Sequence, residues 1–182
     1  MIRLANYQDV REESIDLDDL RALLEQVVGQ PFLEIRVSYG DEIRINLGAR
    51  IPYKNPRMKG MGRGTYVVGA RASSWSIFGG QTPLVAASDD VTIHDVMASL
   101  GHSEVKAIEK DELIAPGAMV IAARVVSAPA GFALQLDFSD RSLATIVPRI
   151  DDDLAEDGAE VSDWEILTPH SRILKVGPGH RW

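Results

Sequence analysis

The sequence predicts an α+β fold, mainly antiparallel β-sheet with two short helices, built from two diverged copies of one unit. Three observations carry this expectation. Phe32-Leu-Glu-Ile-Arg-Val-Ser38 followed by Ser73-Ser-Trp-Ser-Ile-Phe78 is echoed by Ala133-Leu-Gln-Leu-Asp-Phe-Ser139 followed by Ser162-Asp-Trp-Glu-Ile-Leu167. Short runs of alternating apolar and polar residues, bounded by turn residues, recur in both halves. Two further segments space their apolar residues as one helical face requires. The repeat divides the chain into a first unit over residues 1–90 and a second over 91–182. Either half alone would bury little surface, so one cooperative domain is expected.

In chain order, Leu17, Leu20, Leu24, Val27 and Val28 form the first helical face, with Asp16 as its cap and Gly29 and Pro31 as its stop. Leu33, Ile35 and Val37 then alternate with charged residues and turn at Tyr39-Gly-Asp-Glu42 into Ile43, Ile45 and Leu47, a hairpin with one dry face. After a long basic loop, Tyr66–Gly69 and Trp75–Phe78 lead through Gly79-Gly80 to Leu84–Ala87. The second unit opens with a helix capped at Thr92, carrying Ile93, Val96, Met97 and Leu100 and ending at Gly101. Two added strands are expected between Glu104 and Ser127, at Val105–Ile108 and Met119–Val126. A hairpin runs through Leu134, Leu136 and Phe138 and returns through Leu143, Thr145 and Val147, and Trp164–Leu167 pairs with Ile173–Val176. Trp75 and Trp164, equivalently placed in the two units, are expected in the core.

Composition excludes several function classes. Of the 182 residues, 45% are hydrophobic and none is Cys, which removes disulfides, thiolate nucleophiles and cysteine metal sites. No run approaches the roughly 20 apolar residues of a membrane helix, and the start lacks a signal-peptide core, so a cytoplasmic chain without membrane contact is expected. His94 and His102 match no helical metal-pair spacing, and His170 and His180 fall in a turn and the tail. Neither Ser73-Ser74 nor Ser139 has the flanks of a nucleophile elbow. No enzyme activity, cofactor or metal is expected.

Charge is distributed unevenly beneath a formal net of −8. From Ile43 to Ser88 there is no Asp or Glu, but there are Arg44, Arg50, Lys54, Arg57, Lys59, Arg63 and Arg71. Asp151, Asp152, Asp153, Glu156, Asp157, Glu160 and Asp163 form an acidic stretch without a cation. If a pseudo-two-fold relates the units, the basic and acidic loops emerge at equivalent corners, facing each other, joining two subunits or addressing different partners. The ordinary reading of each is a solvated connection. The acidic stretch lacks EF-hand spacing, and the basic loop lacks P-loop spacing.

The ending Ser162-Asp-Trp-Glu-Ile-Leu-Thr-Pro-His-Ser-Arg-Ile-Leu-Lys-Val-Gly-Pro-Gly-His-Arg-Trp182 resembles that of short bacterial proteins without an assigned activity. They finish with a Trp-Glu-hydrophobic strand, a turn and Leu-x-Val-Gly-x-Gly. Some are similar in size and acidity to immunity proteins that neutralise toxins. The resemblance implies a protein without enzymatic activity, and the acidic stretch then gives the favoured reading: a bacterial interaction protein that binds a basic protein partner, such as a nuclease toxin, through Asp151, Asp152, Asp153, Glu156, Asp157 and Glu160. The alternative is a small-ligand or anion-binding module working at the cleft between the units through Arg57, Lys59, Arg63 and Arg71. Self-association fits either reading, and the negative net charge disfavours nucleic acid.

Overall fold

A computed structural model describes residues 2–6, 9–14, 17–37, 42–70, 73–79, 82–86, 114–128, 131–148, 164–169 and 172–176. The elements run β1 (Ile2–Asn6), β2 (Asp9–Ser14), α1 (Leu17–Glu25), β3 (Phe32–Val37), β4 (Ile43–Leu47), β5 (Ile51–Pro52), β6 (Gly62–Arg63), β7 (Tyr66–Ala70), β8 (Ser73–Gly79) and β9 (Thr82–Ala86). They continue with β10 (Val120–Ala128), β11 (Gly131–Phe138), β12 (Ser142–Pro148), β13 (Trp164–Leu167) and β14 (Arg172–Val176). Every ladder is antiparallel.

This corrects the α+β expectation. Among the described residues the only α-helix is the nine-residue α1, and nearly everything else is antiparallel strand, so the architecture is β-rich with one helical appendage. An α+β fold needs helices that form a layer of their own, and one helix of under three turns does not. The second expected helix, over Thr92–Gly101, and the expected strand Val105–Ile108 lie outside the described residues.

Seven strands form one sheet in the order β2-β1-β14-β13-β7-β4-β3, five form another in the order β10-β11-β12-β8-β9, and β5 and β6 make a two-stranded ribbon. The chain lays β3, β4 and β7 in the first sheet and then crosses with β8 and β9 to the second. It next lays β10, β11 and β12 in the second sheet and crosses back with β13 and β14. Each crossing hairpin pairs with the third strand of the other half, β8 with β12 and β13 with β7. The two Trp strands hold equivalent fourth places in this path. The first halves of the similar stretches do not, since Phe32–Val37 is β3 but Ala133–Phe138 lies in β11, a second strand. The basic loop joins β4 to β7, whereas residues 149–163 join β12 to β13, so the two charged segments are not topological counterparts.

Alternation places one face of each sheet against the other. Ile45, Leu47, Val68, Trp164, Ile166, Leu174 and Val176 from the first sheet join Trp75, Ile77, Leu134, Leu136, Phe138 and Ile146 from the second in one buried cluster. The Trp164 indole is fully buried, opposite Ala70 and Val176, and its Nε1 donates to the Phe132 carbonyl at 2.7 Å, fastening the sheets together. Leu20, Leu24 and Val27 of α1 and the turn after it fill the same core. Gly29 ends that turn at φ +83°. Its N–H donates to the Val120 carbonyl, and Phe32 N–H to Ala118, tying the β3 edge to the start of β10. Phe32 meets Phe138 edge to face at 6.1 Å.

Asp140 organises the β11–β12 turn. Its Oδ2 accepts from the Ala115 N–H at 2.7 Å, and its Oδ1 accepts from the Ser142 N–H at 2.9 Å and from the Ser142 hydroxyl. Partial burial alone would raise the carboxyl pKa, but the Ser142 hydroxyl and the backbone donors together outweigh it and hold the pKa below the ordinary aspartate value. A depressed folded pKa contributes stability that is full above the unfolded value of roughly 4 and is lost as pH falls through the folded value. Asp140→Asn is expected to lower stability at neutral pH by on the order of 1 kcal/mol, as loss of an exposed capping carboxylate does. In urea denaturation the gap between variant and wild type should narrow below about pH 4; a gap independent of pH would show that charge is not involved.

Candidate anion-binding site

The outer face of the seven-stranded sheet is built by the residues that alternate with the core. On β4, Ile43, Ile45 and Leu47 point inward, leaving Arg44 and Asn46 outside; on β3, Ile35 points inward and Arg36 does not. Register then brings Arg36 directly opposite Arg44. Two like charges facing across antiparallel strands are unfavourable unless something neutralises them. The same row continues from Arg44 to Gly69 of β7 and Glu165 of β13. One row along, Asn46, Val67, Leu167 and Ile173 stand in register, giving an apolar strip beside the charged one.

The basic loop folds back over this floor. Ile51 pairs with Arg63 and Pro52 with Gly62 in the ribbon. The Tyr53 N–H donates to the Met61 carbonyl at 3.1 Å, and between them Pro56–Met58 forms a 3-10 turn whose start is capped by Asn55. Buried Asn46 fixes the ribbon to the sheet, its Oδ1 accepting from the Gly64 N–H at 2.8 Å. Arg36 donates to the Gly62 carbonyl at 3.2 Å and approaches Glu34 Oε1 at 2.6 Å. That oxygen is buried without a hydrogen bond of good geometry, so Glu34 holds Arg36 by charge; its other oxygen contacts Arg50 at 3.4 Å. Arg63 donates to the Gly64 and Thr65 carbonyls at 3.1 and 3.4 Å.

Ribbon and sheet enclose a pocket of about 400 Å³, lined by Arg36, Arg44, Asn46, Tyr53, Arg63, Val67, Gly69, Glu165, Leu167 and Ile173. Three arginines face one carboxylate, so the pocket carries an excess of positive charge. Arg36 and Arg63 are oriented by backbone carbonyls and Glu34, whereas Arg44 has no ion pair or hydrogen bond among the described residues. A guanidinium presents a planar fork suited to two-point binding of a carboxylate or phosphate. The floor comes from both halves of the chain, β3, β4 and β7 from the first and β13 and β14 from the second.

Of the residues expected to hold an anion, Arg63 lines the pocket. Arg57 and Lys59 sit exposed in and just after the 3-10 turn and do not line it, and Arg71 lies outside the described residues. Asp151, Asp152, Asp153, Glu156, Asp157 and Glu160 lie outside them as well, as do His94, His102, His170 and His180. Arg36, Arg44 and Glu165 were not expected there. An Arg in each of two adjacent alternating strands was the available signal, but only the register shows that they meet. No group of His, Asp or Glu side chains able to hold a metal occurs among the described residues, and no helix of the structure is long and apolar enough to cross a membrane. No known protein family, curated protein or solved structure matches the chain.

Proposed function

We propose that the protein is a binding module for a small anionic ligand, held in the pocket between the β5–β6 ribbon and the outer face of the seven-stranded sheet. The observation that carries this reading is the Arg36–Arg44 cross-strand pair, in which Arg44 has no ion pair or hydrogen bond among the described residues. Glu34 offsets the charge of Arg36, which leaves Arg44, with Arg63 above it in the roof, as positive charge that an anion in the pocket would neutralise. The pocket volume of about 400 Å³ falls within the range typical of small-molecule sites. The reading of an acidic surface that binds a basic protein partner rests on residues 151–160, outside the described residues, and the geometry adds nothing to it.

Thermal unfolding of the full chain tests the proposal, with succinate, benzoate and inorganic phosphate titrated against chloride at matched ionic strength. A ligand at about 100 times its Kd adds about 2.7 kcal/mol, a rise of several degrees in Tm for a domain of this size. At least one of these anions should produce that rise, Arg44→Ala should abolish it, and Arg57→Ala should leave it intact. No rise with any of them, or equal loss in both variants, would count against the pocket.

A further inference from the structure

Glu165 is the residue a plain anion site would not contain. It lies one strand beyond Gly69 from Arg44, in the same cross-strand row, and lines the same pocket. Like Arg44, it has no ion pair or hydrogen bond among the described residues. Two strand spacings separate the backbones of Arg44 and Glu165 by about 10 Å, and the position between them is a glycine. A Cβ at Gly69 would lie 3.3 Å from Glu165 Cγ and 3.5 Å from its Oε1, so any side chain there would enter the space between the two charges. Among the described residues the row therefore presents a guanidinium without an ion pair, a bare backbone and a carboxylate without an ion pair in succession, with Lys175 of β14 next in register beyond Glu165. Beside it run Val67, Leu167 and Ile173, with Tyr53 contributed by the roof.

From this arrangement we infer that the ligand is a zwitterion of the α-amino-acid type with an apolar side chain. Its carboxylate sits on Arg44, its ammonium on Glu165, and its side chain against Val67, Leu167 and Ile173. The inference rests on the anion-binding reading of the same pocket and adds the cationic half of the ligand. A carboxylate in the wall of the pocket repels a simple acid and attracts one that also carries an amine, so Glu165 acts as a selecting element as much as a binding one. Gly69 keeps the path between the two charges open, and the aliphatic strip offers area without further polar demands.

Calorimetric titration of the full chain with three related probes separates the possibilities: L-phenylalanine, hydrocinnamate (the same acid without the amine) and phenylalaninamide (the amine without the acid). Phenylalanine is expected to bind at least about tenfold more tightly than either, a difference of about 1.4 kcal/mol. Glu165→Gln should remove its advantage over hydrocinnamate, while hydrocinnamate affinity holds or rises. If hydrocinnamate binds wild type as tightly as phenylalanine does and Glu165→Gln changes neither, the zwitterion inference is overturned; the anion reading survives provided Arg44→Ala abolishes hydrocinnamate binding. Tighter binding of phenylalaninamide than of phenylalanine would overturn the inference too. If neither acid binds, or if binding ignores Arg44, both readings fall.

Discussion

Replacing Trp164 by alanine is expected to destabilise the protein by about 3–5 kcal/mol, the usual range for deleting a large aromatic from a well-packed interior. The indole is fully buried at the centre of the seven-stranded sheet, over Ala70 on one neighbouring strand and Val176 on the other. The small Ala70 leaves room for the ring, so nothing adjacent can expand into the void without backbone movement. The same side chain carries a hydrogen bond between the sheets, from Nε1 to the Phe132 carbonyl at 2.7 Å. Trp164→Phe keeps most of the apolar area and removes that donor; it should cost about 1–3 kcal/mol through the orphaned carbonyl. Urea denaturation of both variants apportions the effect. A loss below about 1.5 kcal/mol for Trp164→Ala would mean that the core collapses around the site and that Trp164 does not fasten the two layers. Against a typical total stability of about 5–15 kcal/mol, the expected loss would leave a substantial unfolded population at moderate denaturant.

Much of the strand layout was legible because side-chain alternation is a direct imprint of a half-buried sheet. Ile43, Ile45 and Leu47 are inward as read, as are Leu134, Leu136 and Phe138, and Trp164–Leu167 pairs with Ile173–Val176 of β14 as expected. Alternation failed where both faces are apolar or the register slips. In β12, Ala144 and Ile146 are buried while Leu143, Thr145 and Val147 are only half-buried, since β-branched and aliphatic residues on both faces leave the parity undecided. In β3 a register shift between Phe32 and Glu34 turns Phe32 inward together with Ile35 and leaves Leu33 half-buried. Of the two helices read from apolar spacing, the first is α1 and the second lies outside the described residues; a single nine-residue helix adds no layer of its own to the sheets, which is what makes the fold class β-rich.

The pocket was the least legible part for a different reason. Arg36 and Arg44 each look like the solvated partner of an inward residue, and nothing local distinguishes them from any exposed strand cation. Their meaning comes from pairing across a hairpin, from the apolar row beside them, and from Glu165, about 120 residues further along the chain, arriving two strands away. The basic loop drew attention to Arg57 and Lys59 because glycines and cations together suggest anion contact. The folded loop instead projects those two side chains outward and uses its backbone as a lid. Sequence composition located the roof of the site but not its floor.

One attachment of that lid, at Gly64, is sensitive enough to test. Gly64 is buried where the ribbon rejoins the sheet, and a Cβ built there would lie 2.5 Å from both the backbone N and O of Leu47 and 2.8 Å from the Tyr66 carbonyl. Those are backbone atoms of two paired strands, β4 and β7, which cannot yield as a flexible side chain would. Gly64→Ala therefore forces the ribbon base away from the sheet, and with it stretches the Asn46 Oδ1 contact to the Gly64 N–H, now 2.8 Å. Overpacking against rigid backbone and loss of a buried hydrogen bond together should cost about 3 kcal/mol. The effect on binding should exceed the effect on stability, because Tyr53 and Arg63 reach the pocket only through the ribbon. Below its own melting temperature, the Gly64→Ala protein should keep wild-type far-ultraviolet circular dichroism and fail to bind the anion that stabilises wild type. Gly60→Ala is the matched control: its Cβ would meet nothing within 4 Å, and its φ of +83° gives only the local strain of a left-handed turn. It should therefore cost about 1 kcal/mol and spare binding. If Gly64→Ala bound as well as Gly60→Ala, the ribbon would not be the roof of the site, and recognition would belong to the open sheet face alone.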